Sequence, residues 1–155
     1  MARLKGISRN LNAFLDMIAF SEGTIGLGDD GYNKLVNPAK FFTSYATHPN
    51  VLVKVGKIKS TAAGRYQHLS RHWTWYRDGI PLPDFGPESQ DRWAIQLIRE
   101  RKALSLIEAG RIPEAIQRCS NIWASFPGAG YNQPEHKLEA LLAKYQEFGG
   151  ELAPS

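Results

Sequence analysis

Leu11, Phe14, Leu15 and Ile18 recur at helical spacing, with Ser8 or Asn10 in front of them and Gly23 behind, which predicts a first helix over 9–22. The pattern then breaks. GTIGLGDDG at 23–31 carries glycine at 23, 26, 28 and 31, too many for a regular element. YNKLV, VLVKV and KIKS follow as short β-prone runs, and Gly56 between the last two suits a hairpin, so a small antiparallel sheet is expected within 31–60, with FFTSYATHPN as a loop. Tyr66, Leu69, Trp73 and Tyr76 restore the helical period and predict a second helix over 62–77, closed by the glycine and prolines of RDGIPLPDFGP. Trp93, Ala94, Leu97 and Ile98 mark a third over 87–101. Leu104 and Ile107 mark a short fourth ending at Gly110, and Ile112, Ala115, Ile116 and Cys119 a fifth. Pro134 opens a last helix carrying Leu138, Leu141, Leu142 and Tyr145, and Gly149 and Gly150 end it; the tail ELAPS should fray. The expected fold class is α+β, mostly helical, with the small sheet forming one lip of a cleft.

Size and composition fit this plan. A chain of 155 residues with 43% hydrophobic and 22% charged positions is expected to form one domain spanning 1–155 with a real core. Nineteen basic against fifteen acidic residues leave +4, but the two signs are interspersed, which argues against a nucleic-acid-binding stripe. Cys119 is the lone cysteine and sits on an apolar stripe, so neither a disulfide nor a nucleophile is expected of it. The opening MARLKGISRNLNAFLDMIAF is interrupted by Asn10, Asn12 and Asp16 and does not read as a cleaved leader. No run reaches the roughly 20 apolar residues of a membrane span.

Two motif-like signals carry no chemistry. Gly26, Gly28 and Gly31 spell GxGxxG, yet no strand precedes them and no helix follows. His68 and His72 stand four apart, but without the intervening glutamate of a metalloprotease or a third ligand they read as surface histidines, and no metal is expected. Glu22 is more informative. It closes an amphipathic helix immediately before a flexible segment, where the negative end of the helix dipole and partial burial beside Phe20 or Tyr32 would both hold its proton. A carboxylic acid protonated near neutrality is what glycosidic cleavage requires of its general acid. Asp29 and Asp30 are the candidates for a second carboxylate, although they equally suit a turn beside Gly31. If neither reaches the cleft, Glu22 can act alone, first as acid and then as base, on a substrate that supplies its own hydroxyl.

The sequence resembles the lambda-type phage endolysins, soluble lytic transglycosylases of the lysozyme-like superfamily. The resemblance rests on AFLDMIAFSEGT at 13–24, GYNKLV at 31–36, FTSYATHP at 42–49, KSTAAGRYQHLSRHW at 59–73 and CSNIWASFPGAGYNQPEHK at 119–137. It implies a lysozyme-like fold, Glu22 as the catalytic glutamate, and cleavage of the β-1,4 bond between N-acetylmuramic acid and N-acetylglucosamine to leave 1,6-anhydromuramoyl ends. Peptidoglycan glycan strands are the implied partner. No cofactor, nucleic acid, stable membrane association or second subunit is implied. The enzyme would wait in the host cytoplasm until a holin gave it access to the wall and the periplasm. Two departures bear on mechanism: Asn33 stands where the family carries an aspartate, and the glycine loop before Gly31 is short. The pattern of glutamate, eight residues, then aspartate, proper to hydrolytic phage lysozymes, would need an aspartate at Gly31, so hydrolysis with Asp29 or Asp30 is the alternative reading.

The remaining expected site residues follow from side-chain chemistry. Ser60 and Thr61 offer hydroxyls at the sheet-to-helix junction, and Gln67 offers a donor and an acceptor for acetamido groups. Tyr131, between Gly130 and Asn132, can stack on a sugar ring, and Tyr32 is expected at the groove as well. Tyr66 and Trp123 are equally consistent with core positions.

Overall fold

The computed structural model describes residues 1–36, 40–130 and 135–154. Its first helix, α1 (Arg9–Ser21), begins at Ser8, whose hydroxyl accepts the amide of Leu11 at 3.0 Å. Asn10 is not the cap: its side-chain amide donates to Ile107 O and its carbonyl accepts from Glu151 N. Every residue from Ala13 to Ala19 is buried, so α1 is a central helix enclosed nearly all round. α3 (Pro87–Glu100), α4 (Leu104–Glu108), α5 (Ile112–Cys119) and α6 (Leu138–Glu147) surround it, and their apolar faces share one cluster with Phe14, Met17, Ile18, Trp123 and Phe126. Cys119 lies in this cluster, fully buried.

The small sheet is a two-stranded antiparallel hairpin, β1 (Val53–Val55) with β2 (Ile58–Ser60), turning through Gly56 in register Val53 to Ser60. YNKLV forms no full strand. It contributes single bridges, Lys34 to Phe41 and Leu35 to Ala63, the second of which ties this stretch to the chain just beyond β2. A second apolar cluster, with Leu35, Phe42, Val53, Trp73, Phe85 and Trp93, sits under this region and meets the first at Tyr45 and Leu97.

The expected helix over 62–77 begins late. Its first half is a tight turn in which Ala63 and His68 exchange both backbone hydrogen bonds, followed by a short 3-10 turn (Ser70–His72) and α2 (Trp73–Gly79). Tertiary contacts override the periodicity here. Gly64 has φ +83° and lies so close to the Gln90 side chain that a Cβ would collide with it, and Arg65 turns inward to a fully buried position. His68 is accordingly buried, not at the surface, stacked parallel on Trp93 at 4.0 Å, while His72 is exposed.

The tail is docked rather than frayed. Ala153 N donates to Gly110 O and Tyr145 Oη to Glu151 O, and Gly110 (φ +77°) admits the tail where a side chain would strike its backbone. The expected helix start at Pro134 lies outside the described residues. Among the described residues no helix is long and apolar enough to cross a membrane.

Candidate active site

α1 ends where the chain must leave the core. Gly23, at φ +74°, turns the backbone back, and Thr24 is anchored by donating its hydroxyl to Arg65 O at 2.6 Å. Glu22 is left at the helix terminus on the wall of a groove of about 370 Å³, shared with Thr24, Leu27, Lys34, Leu35, Val36 and Gln67. The carboxyl is largely enclosed, and burial pushes its pKa from the ordinary 4.5 up to about 7. A hydrogen bond from Ser125 opposes that rise. The expected elevation is thus present, and its main cause is desolvation.

The second oxygen of Glu22 has a fixed partner. Ser125 Oγ donates to Glu22 Oε2 at 2.8 Å. Ser21 Oγ and Ser125 Oγ are 2.6 Å apart, and with the Ser125 proton committed to Glu22 it is Ser21 that donates. His136 Nε2 donates to Ser21 O at 3.0 Å and its backbone amide to Ser125 O at 2.8 Å, so the 135–137 segment is fastened across the end of α1. With Oε2 occupied as an acceptor, the acid form of Glu22 carries its proton on Oε1. Ser125 lies 103 residues beyond Glu22, and neither it nor Ser21 carries a sequence signal that singles it out.

Of the other expected site residues that are described, only Gln67 lines this groove. It has φ +54°, and its side-chain amide donates to Gly64 O at 2.9 Å. Tyr32 is a correction. It is fully buried, its hydroxyl donating to Asp91 at 2.8 Å and its ring lying beneath the Arg65 guanidinium, so it supports the core and does not line the groove. Ser60 and Thr61 serve local structure: Ser60 Oγ accepts from Ala62 N, and Thr61 Oγ1 accepts from Ser70 N and Ser70 Oγ. Neither lines the groove around Glu22. Tyr131 lies outside the described residues. Tyr66 and Trp123 are core residues, linked by a bond from the Trp123 indole to Tyr66 O.

The two aspartates of the glycine loop are engaged elsewhere. Arg3 forms an ion pair with Asp29, and Tyr45 Oη also donates to it. Those bonds, the arginine's foremost, hold Asp29 below the usual carboxylate range. Burial pushes Asp30 upward, but the Gly26 amide, the N-terminal ammonium and Arg65 outweigh it and leave this carboxyl depressed too. Glu22 is the single carboxylate among the described residues that line the groove. Among the described residues no cluster of three or more His, Cys, Asp or Glu could hold a metal ion.

Comparison with known proteins agrees with this architecture. The endolysin family model matches residues 12–152. The endolysin of Escherichia phage lambda is 52% identical over 149 residues, covering 93% of this chain and 94% of that protein. The endolysin of Escherichia phage P2 is 50% identical over 155 residues, covering 92% and 94%. Bacteriophage lambda lysozyme complexed with a chitohexasaccharide has the same fold at a TM-score of 0.92 and 51% identity, covering 96% of this chain and 99% of that one. A second structure of lysozyme from bacteriophage lambda gives 0.87 at 49% identity, with the same coverage. Agreement of this extent in both sequence and fold makes the chain a member of the endolysin family of cell-wall-degrading enzymes.

Proposed function

We propose that this endolysin is a lytic transglycosylase that cuts the peptidoglycan bond between N-acetylmuramic acid and N-acetylglucosamine without adding water. The carrying observation is a lone, largely enclosed carboxyl with an elevated pKa in a groove where no second carboxylate stands among the described residues. Glu22 Oε1 gives its proton to the glycosidic oxygen as the C1–O bond breaks and positive charge builds on the sugar ring. The carboxylate left behind then takes the proton of the same sugar's C6 hydroxyl. That oxygen closes on C1, giving a 1,6-anhydro ring and returning Glu22 to its acid form. One group can serve both steps because a pKa of about 7 lets it donate and accept at neutral pH.

Ser125, steadied by Ser21, holds Oε2 and leaves Oε1 for the transfer. That a related lysozyme was solved with a chitohexasaccharide supports a glycan strand as the occupant of the groove. The biological setting follows from this reading: a monomer held in the host cytoplasm and released to the periplasm by a holin.

Digestion of purified peptidoglycan followed by mass spectrometry tests the proposal. Anhydro ends, each lighter by one water than a hydrolytic reducing end, are expected. Reducing ends alone would establish hydrolysis and reject the mechanism.

A further inference from the structure

Gln67 divides two cavities. On its far side lies a second one, also of about 370 Å³, between α3, the 70–76 segment and residues 121–123. Its walls are aromatic, with Tyr76, Trp93 and Trp123, and its lining is completed by charged, solvent-exposed Arg71, Arg101 and Glu100. Among the described residues neither arginine is in an ion pair. Arg71 donates through Nε to His72 Nε2, which leaves the forked end of its guanidinium for another acceptor. Glu100 already accepts from Tyr76 Oη at 2.7 Å and from Gln96 at 3.2 Å. The cavity therefore joins apolar walls to a surplus of positive charge, and it adjoins the catalytic groove at one shared lining residue, Gln67.

The charge identifies the occupant. The sugars of peptide-bearing peptidoglycan are neutral, because the lactyl carboxyl of N-acetylmuramic acid is amide-linked to the peptide, and aromatic faces with amide or hydroxyl partners suffice to bind them. Guanidinium groups recognise carboxylates, in planar, paired hydrogen bonds. In peptidoglycan the free carboxylates belong to the short stem peptides that branch from every second sugar. Resting on the peptidoglycan reading above, we propose that the cavity behind Gln67 receives the acidic stem peptide of a sugar bound in the groove, with Arg71 and Arg101 meeting its carboxylates. Gln67, kept at the junction in a left-handed conformation that a non-glycine residue adopts only at a cost, presents its amide oxygen to an N–H of the lactyl-linked peptide.

The experiment compares two substrates, glycan strands with stem peptides intact and the same strands stripped of peptide by an amidase and then capped as methylamides at the lactyl carboxyls so freed, for the wild type, Arg71→Glu, Arg101→Glu and the double variant. The wild type is expected to favour peptide-bearing strands in kcat/KM by about tenfold, the scale of two exposed guanidinium–carboxylate contacts. The double variant should lose that preference while cleaving stripped strands at the wild-type rate, and lysine at both positions should restore part of it. A free stem peptide titrated against the Glu22→Gln protein should quench tryptophan fluorescence from Trp93 and Trp123, and the charge-reversed protein should not respond. Equal losses on both substrates would make the cavity a sugar subsite, and unchanged preference would make it an unused surface. Either result overturns the proposal. Failure of the wild type to cleave either substrate would instead strike at the peptidoglycan reading itself.

Discussion

Two carboxylate sites of this protein, the lone Glu22 and the cluster around Arg65, are treated in opposite ways. Around Arg65 the fold takes charges out of water only in company. The guanidinium donates to Asp16 at 2.8 Å and to Asp30 at 3.3 Å and lies over the rings of Tyr32 and Tyr66, while Asp91 accepts from both of those tyrosines and from the amides of Arg3 and Leu4. Those bonds keep buried ions tolerable. At Glu22 the fold encloses a carboxyl that, among the described residues, has no cation paired to it and one hydroxyl donor, and the proton is retained toward neutrality. The same burial that the ionic cluster neutralises is left uncompensated where a transferable proton is wanted.

The comparison can be broken at either end. Glu22→Gln removes the acid and keeps its shape, so peptidoglycan cleavage, followed as turbidity loss of permeabilised cells, should fall on the order of 10³-fold. Arg65→Met strands Asp16 and Asp30 without their buried cation, and chemical unfolding should register a loss of about 3–5 kcal/mol.

Stability against pH sharpens the contrast. The pKa of Glu22 is raised on folding, so its ionisation costs the folded state once the unfolded chain begins to ionise near 4.5, and the cost levels off above about 7. Glu22→Gln should therefore raise the unfolding free energy increasingly across that window, by up to roughly 3 kcal/mol at its alkaline end, and by little below it, as denaturant unfolding at each pH would show. Ser125→Ala withdraws the hydrogen bond that favours the anion. The pH–rate profile should shift upward by about one unit or less, with kcat more affected than KM. Asp29→Asn is the smallest change: the pair with Arg3 is exposed, so the loss should be under about 1 kcal/mol and turnover should stay within about threefold. A loss as deep as that of Glu22→Gln would restore the hydrolytic alternative.

Helices packed along one apolar face were legible in advance. The Ile112, Ala115, Ile116 and Cys119 stripe is buried as its spacing requires, and α1 ends at the residue that Gly23 marks. The segment 62–69 was not legible, because its conformation depends on Gln90 and Phe85, residues far away in the chain that press on Gly64. Tyr32 misled for a related reason. An aromatic beside a glycine loop looks available to substrate until Asp91, from α3, takes its hydroxyl.

By itself the sequence determined where α1, α3, α4 and α5 lie, the hairpin at Gly56 and the position of Glu22 at the end of α1, since each follows from local periodicity, turn chemistry and capping. Only tertiary structure decided that Asp29 and Asp30 are held by Arg3 and Arg65, that Ser125 meets Glu22, and that the tail closes over Gly110. Those outcomes depend on partners brought together across long stretches of chain. A carboxyl's protonation is set by the charges and donors around it in space, and neighbouring letters do not encode them.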